Sequence, residues 1–196
     1  TDRRMNAAKR MTKIVRRELD ALKMGQTQFT VQVSTGEGEH AYGSDGADRA
    51  EFLLSTNVGE PLKPLARVAS GGEMSRVMLA LKSSLAGMDW VPVMIFDEID
   101  TGVGGAVAAA IGKRLRDLGR YHQVLCVTHL PQVASQADHH WCVEKTQAKN
   151  RTMTSVRLLT GIEREGEIAR MLGGATVTKK VRETAAELIA GAKESG

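Results

Sequence analysis

The chain has 196 residues, of which 42% are hydrophobic and 26% charged, and its formal net charge is +4. This length predicts one compact domain with room for a short appendage, and the weak positive charge favours an anionic partner without identifying it. No apolar run reaches the roughly 18 to 20 residues that span a bilayer, so we expect no membrane-embedded domain on this chain, although a subunit bound to a membrane partner stays conceivable at this point. Cys126 and Cys142 show neither CxxC spacing nor a preceding secretory leader, so a cytoplasmic chain is expected.

Residues 1–24 are predicted to form a helix that ends at Gly25, the last part of a coiled-coil arm. Apolar residues recur along it at heptad-like spacing, at Ala8, Met11, Val15 and Leu22. Because the repeat covers about three heptads and includes Glu18, a free coiled coil of this length is expected to be marginal. Its basic residues fit a solvated coiled-coil face better than a DNA-binding surface.

Residues 25–196 are predicted to form the remaining domain, which begins with an antiparallel flank. Phe29, Val31 and Val33 alternate with polar residues as in a half-buried strand, and residues 51–55 form a second strand after a glycine-rich connection. Pro61 and Pro64 bracket an extended segment. A helix is predicted from Met74 to Ala86, with one apolar face that packs on a sheet.

A strand-helix-strand unit follows and sets the fold class. The apolar runs 91–96 and 124–127 are predicted to be strands covered on both faces, and residues 105–118 have helical composition. Such a unit gives parallel strands with a right-handed crossover, so the core is predicted to be α/β with a mainly parallel sheet. Later elements are a short helix at 131–137, strands at 141–144 and 154–159, and helices near 165–172 and 177–190.

The segment Ser70-Gly71-Gly72-Glu73 opens the first helix after the flank. A capping box explains Ser70 and Glu73, because the two side chains can satisfy free N–H groups of the first turn. It does not explain the glycines, each of which costs up to about 1 kcal/mol relative to alanine within a helix. A close approach of a phosphate to the helix N-terminus is the functional alternative.

Asp97-Glu98 follows the apolar strand, at the edge where open α/β sheets bind ligands. The pair is compatible with a strand end that meets water, and it also resembles a Walker B segment. In the second interpretation Asp97 holds Mg²⁺ through water, and Glu98 orients or deprotonates the attacking water.

Asp100 and His129 are the other candidates near that edge. Asp100 is either a turn residue or part of a D-loop at a dimer seam. His129 follows the second strand, where it either makes a structural hydrogen bond or acts as a switch that detects the γ-phosphate. The adjacent His139 and His140 are assigned no ligand role, because no cysteine or carboxylate spacing completes a metal site.

The order and spacing of these segments resemble the C-terminal part of the RecN family, bacterial DNA repair proteins related to the SMC proteins, with an ABC-type ATPase head. The segments that carry the resemblance are 61–65 (PLKPL), 68–76 (VASGGEMSR), 95–100 (IFDEID), 127–134 (VTHLPQVA) and 169–174 (ARMLGG). No stretch reads GxxxxGK[ST], the Walker A loop that holds nucleotide phosphates.

The resemblance implies a head assembled from both ends of one long chain, in which an N-terminal segment supplies the Walker A loop. Two such heads form a homodimer around ATP and Mg²⁺, so Ser70, Gly71, Gly72, Glu73 and Asp100 contact the ATP held by the opposite head. Binding joins the heads, and hydrolysis with Glu98 and His129 releases them. The implied role is binding or tethering of broken DNA in the nucleoid during recombinational repair.

Two alternatives stay open at this point. The first is a non-catalytic module for dimerisation or DNA contact, in which the motifs serve only as scaffold. The second is the nucleotide-binding half of an ABC transporter, which predicts a membrane partner and is disfavoured by the coiled-coil segment and by Leu130-Pro131-Gln132. Under the favoured interpretation, the chain alone is expected to be inactive, because it lacks the phosphate loop.

Overall fold

A computed structural model describes residues 1–38, 42–68, 71–148 and 151–194 of the chain. The helices are α1 Asp2–Ala21, α2 Gly71–Ser84, α3 Gly105–Leu118, α4 Pro131–Ala134, α5 Gly161–Gly173 and α6 Lys179–Glu194. The strands are β1 Gln28–Thr35, β2 Asp48–Ser55, β3 Lys63–Pro64, β4 Val93–Phe96, β5 Gln123–Cys126, β6 His140–Ala148 and β7 Arg151–Leu159. This mixture of helices with parallel and antiparallel sheets confirms the predicted α/β class.

Helix α1 belongs to the main core of the domain. Its apolar stripe, including Val15, Leu19 and the flanking Leu22, is buried with residues of β1 and α2. The helix ends at Ala21 rather than just before Gly25, and Lys23, with φ 60°, takes the left-handed conformation that often follows a helix end. The boundary between an arm and a domain near residue 24 stays a prediction.

The antiparallel flank forms as predicted. Strand β1 pairs with β2 along its whole length, from Gln28 opposite Ser55 to Thr35 opposite Asp48, and the short β3 adds to β2. Phe29 is completely buried, with its ring 5.9 Å from that of Phe52. The flank therefore closes one side of the core that α1 and α2 also line.

Strands β4 and β5 form the predicted parallel pair, and α3 connects them. The expectation that both faces are covered is wrong for the described part of the chain. Met94 and Phe96 are buried in the core, whereas Val93 is 43% and Ile95 72% exposed, and Leu125 is exposed beside them. Successive side chains of a strand point to opposite faces, so one face of this sheet is apolar and open.

The C-terminal elements form a second, smaller core. Strands β6 and β7 make a long antiparallel hairpin, and α5 packs against α6 around Ile168, Ala169 and Ala185. Helix α4 is shorter than predicted because it ends at Ala134, whereas both strands and α5 are longer than predicted. Helix α6 begins two residues after its predicted start and continues four residues beyond its predicted end. None of the helices in the described ranges combines the length and apolarity that crossing a bilayer requires.

An ion pair joins α1 to α3 and gives a test of this packing. Glu18 Oε2 lies 3.0 Å from Arg114 Nε, and Glu18 is buried, with the exposed Arg17 as a more distant partner at 3.7 Å. We expect Arg114→Met to lower the free energy of unfolding by about 2 kcal/mol, because it leaves a buried carboxylate poorly paired. Urea denaturation measures the change.

The exposed ion pair between Lys179 and Glu183 on α6 is the matched control. Lys179→Met is expected to change the free energy of unfolding by less than about 0.5 kcal/mol. Equal effects of the two substitutions would contradict the packing of Glu18 between the helices.

Candidate active site at the edge of the parallel sheet

The predicted site residues converge at the carboxyl end of β4 and β5. Asp97 follows β4 directly, and Thr128 and His129 follow β5 after one further residue. The N–H of Val127 donates to the carbonyl of Phe96 at 2.9 Å, which keeps the two chain segments together beyond the strands. The sheet therefore brings separate motifs of the sequence to one edge.

The chain turns at this edge from Asp97 to Thr101, and we call these five residues the acidic turn. Its exposed acidic residues are Asp97 and Glu98. Asp97 Oδ1 accepts a hydrogen bond from the Glu98 N–H at 2.8 Å, and the Thr101 N–H donates to the Glu98 carbonyl at 3.1 Å. Glu98 has φ 57°, a left-handed conformation that costs a non-glycine residue about 1 to 2 kcal/mol. Such a cost is characteristic of positions where the surrounding structure imposes the backbone path.

Asp100 links this turn to the segment after β5. Its side chain is almost fully buried, and Oδ2 accepts hydrogen bonds from Thr128 Oγ1 at 2.5 Å and from the His129 N–H at 3.0 Å. His129 Nδ1 lies 3.2 Å from the same oxygen, although the imidazole itself is 72% exposed. The Asp100 carboxylate thus accepts hydrogen bonds from residues of its own chain. Its contact with the ATP of a second head stays a prediction.

Of the two glycines of α2, Gly72 has a structural reason within this chain, whereas Gly71 meets only the movable end of a side chain. A Cβ at Gly71 would lie 2.2 Å from Glu98 Oε2, and a Cβ at Gly72 would lie 2.8 Å from the Glu98 carbonyl oxygen and 3.1 Å from Thr101 Cβ. The close approach that the sequence indicated is therefore made by the acidic turn. Ser70 lies outside the described residues, and the contact of this segment with a phosphate stays a prediction.

Two further residues of α2 hold the acidic turn, and our sequence reasoning missed both. Ser75 Oγ donates to the Asp97 carbonyl at 2.8 Å, and Arg76 Nη1 donates to the carbonyls of Ile99 and Thr101 at 3.2 and 3.1 Å. Burial lowers the pKa of the Arg76 guanidinium, against the opposing effect of the Glu73 charge. A signal existed, because Arg76 lies four residues after the buried Gly72 on the same helix face.

Cys126 also lies near the acidic groups. Burial raises the pKa of its thiol to about 12, with smaller contributions from the negative charges of Asp100 and Asp97. The thiol therefore stays protonated at neutral pH and is a poor nucleophile or metal ligand. The negative charges of Asp97 and Asp100 therefore act on the Cys126 thiol as well.

The oxygen ligands at this edge fit a Mg²⁺ ion whose other ligands come from a nucleotide and from water. The described residues contain no group of three or more histidine, cysteine or acidic side chains arranged around a metal position. Asp97 offers an exposed carboxylate, and Mg²⁺ is often bound by one or two carboxylates together with phosphates and water. A magnesium site completed by ATP is compatible with this arrangement.

The chain is similar in sequence to curated DNA repair proteins. It is 45% identical over 186 residues to the DNA repair protein RecN of Xylella fastidiosa strain 9a5c, an alignment that covers 95% of this chain and 33% of that protein. The chain thus spans about a third of the length of the curated relatives it matches. No family model matches the chain.

Solved structures support the fold. The SMC head domain of Pyrococcus yayanosii, with a coiled coil and joint, superposes with a TM-score of 0.55 at 16% identity, over 84% of this chain and 29% of that one. A chain from a study of ATP-driven dimerisation and DNA-stimulated activation of SMC ATPases has a TM-score of 0.50 at 14% identity, over 89% of this chain and 99% of that one. The ABC-type head fold predicted from the sequence is confirmed.

The contacts of the two glycines predict different effects of alanine. Gly72→Ala places a Cβ 2.8 Å from the backbone carbonyl oxygen of Glu98, which cannot move without the turn, and is expected to lower the free energy of unfolding by about 1 to 3 kcal/mol. Gly71→Ala displaces only the exposed end of the Glu98 side chain, so a change of less than about 1 kcal/mol is expected. Chemical denaturation compares the two variants, and a larger loss for Gly71→Ala would contradict the described packing.

Proposed function

Because this chain belongs to the RecN family of DNA repair proteins, we propose that it is the C-terminal lobe of an SMC-like ATPase head that acts in repair of DNA double-strand breaks and in recombination. The observation that carries the proposal is the meeting of Asp97, Glu98, Asp100 and His129 at one sheet edge, beside the N-terminus of α2. The relatives' assignment to DNA repair disfavours the transporter alternative.

In this proposal ATP is the substrate, and each polar group at the edge has one task. Glu98 is the general base that orients and deprotonates the attacking water. The Asp100 carboxylate beside His129 Nδ1 favours the tautomer with the proton on that nitrogen, and the exposed remainder of the ring would be available to contact the γ-phosphate. Asp97 holds Mg²⁺, which supplies charge stabilisation to the phosphates when bound.

The open face of the parallel sheet supports completion by another segment of the same protein. Its apolar side chains include Val93, Ile95 and Leu125, and Val127 continues the patch beyond β5. The relatives are about three times as long as this chain, so a segment outside it is available to cover the patch. We assign this surface to the N-terminal segment that carries the Walker A loop, and burial of the patch provides the driving force.

Pairing of two heads and binding of DNA complete the proposal. Ser70, Gly71, Gly72 and Glu73 of one head contact the ATP of the second, so ATP joins the heads and hydrolysis separates them. The structural neighbour described for ATP-driven dimerisation and DNA-stimulated activation of SMC ATPases provides the analogy. Action on DNA places the protein in the cytoplasm, at the nucleoid.

A non-catalytic module is the second candidate, and the position of Glu98 favours it. In the described conformation the Glu98 carboxylate lies against Gly71 of α2, where it shapes the contact between turn and helix. If this structural task is the whole role of Glu98, the motifs serve only as scaffold for dimerisation.

Replacing the proposed base distinguishes the two candidates. In the full-length protein, Glu98→Gln is expected to lower kcat for ATP hydrolysis by about 10² to 10⁴, because the amide cannot accept the proton of the attacking water. Glu183→Gln, at an exposed position on α6, serves as the control with unchanged turnover. Full activity of Glu98→Gln would favour the non-catalytic module.

Complementation tests the open sheet face. The purified chain alone is expected to show no Mg²⁺-dependent turnover, and co-expression with the N-terminal segment is expected to restore it. Ile95→Asp should abolish that association, because it places a charge in the apolar patch, while the unfolding free energy of the chain changes by less than about 0.5 kcal/mol.

Ile162 is 82% exposed at the start of α5, so Ile162→Asp is the matched control and should leave association intact. Co-purification and ATPase assays measure both variants. Robust turnover by the chain alone, or normal association of Ile95→Asp, would contradict the proposed assembly.

A further inference from the structure

Arg76 occupies an unusual position for a charged side chain. It lies in the second turn of α2, is only 9% exposed, and shares a helix face with the buried Gly72 and Ala80. Burying a cation is costly unless it is paired or hydrogen-bonded. Its guanidinium donates hydrogen bonds to two backbone carbonyl oxygens of the acidic turn, those of Ile99 and Thr101.

These carbonyls stand on the two sides of Asp100. The guanidinium therefore holds the backbone before and after this residue, while Ser75 Oγ holds the carbonyl of Asp97 at 2.8 Å. Both bonds come from one guanidinium nitrogen, Nη1, which carries two hydrogens in the plane of the group and can therefore donate to both carbonyls at once. The path of the turn is thus tied to the first two turns of α2.

The connection continues from Asp100 to the segment after β5. Asp100 Oδ2 accepts from Thr128 Oγ1 and from the His129 N–H, and the Leu130 N–H donates to Thr128 Oγ1 at 3.0 Å. A series of hydrogen bonds, joined by the covalent backbone around Asp100, therefore connects Arg76 to His129. This series connects α2, whose N-terminus is proposed to contact the ATP of a second head, to His129, the predicted switch residue.

We propose that Arg76 is a positioning residue for ATP hydrolysis, which fixes the backbone around Asp100 and thereby sets the positions of Glu98 and His129 relative to α2. This inference rests on the proposed ATPase function. Arg76 does not contact the reacting atoms. Its effect is on geometry, and a misplacement of about 1 Å far from the chemistry can lower turnover by up to roughly 10²-fold.

Arg164 provides a matched comparison within the same chain. Its guanidinium also donates to two backbone carbonyls, those of Ser135 at 3.0 Å and Ala137 at 2.5 Å, and burial likewise lowers its pKa. Its carbonyl partners lie beyond α4 and flank none of the proposed site residues. Loss of Arg164 should therefore affect stability in a similar way without changing the geometry of the acidic turn.

The experiment compares Arg76→Met with Arg164→Met in the full-length protein. For Arg76→Met we expect kcat to fall by roughly 10- to 100-fold with KM for ATP within about 2-fold of the unsubstituted protein. Arg76→Lys should recover part of the loss, because an ammonium can still reach a carbonyl but lacks the planar fork. Arg164→Met should keep the kcat of the unsubstituted protein.

Amide hydrogen exchange gives a readout that needs no ATP turnover. Arg76→Met should accelerate exchange at the amides of His129 and Leu130, which the series of hydrogen bonds protects, and Arg164→Met should not. If ATP hydrolysis is absent from the unsubstituted protein, the proposed function fails, while the exchange result still tests the positioning role of Arg76.

Three results would overturn the inference. The first is normal kcat together with normal exchange in Arg76→Met. The second is an equal loss of kcat in Arg164→Met, which would indicate general destabilisation. The third is a change confined to KM, which would assign Arg76 to nucleotide binding. If Arg76→Met does not fold, Arg76→Lys and Arg164→Lys replace the methionine pair, and an unchanged kcat in Arg76→Lys then overturns it.

Discussion

The contact between α2 and the turn from Asp97 to Thr101 is the constraint on which the candidate site depends. The turn lies so close to the helix that Gly72 has no space for a side chain, and Ser75 and Arg76 bind three of its carbonyls. Glu98 accepts an unfavourable backbone conformation within it. Because Asp100 then reaches Thr128 and His129, displacement of α2 would alter the proposed base and the switch together.

The open face of β4 and β5 is the second consequence of the fold. Helices of this chain cover one side of the pair, and exposed apolar side chains such as Ile95 remain on the other. A monomeric protein rarely leaves such a patch without a partner. The chain spans about a third of its relatives, which agrees with a head whose function arises between polypeptide segments.

Much of the fold could be predicted because local patterns and tertiary packing agree. The bounds of α3 match the prediction, and β1, β4 and β5 follow clear alternation or short apolar runs. One prediction failed where a pattern does not identify its partner. The apolar run of β4 is covered on one side only, since hydrophobicity specifies burial but not what provides it. The heptad-like stripe of α1 packs on its own domain, and the assignment of residues 1–24 to an arm stays a prediction.

The sequence by itself determined the family, the α/β class and the residues at the sheet edge, because motif order and strand ends are properties of the linear chain. Only the tertiary structure decided how these residues contact one another. It explained Gly72 through the approach of Glu98 and Thr101, directed the Asp100 carboxylate inward to His129, and revealed Arg76. Each of these depends on distances between segments about 20 or more positions apart, which packing fixes and local periodicity does not encode.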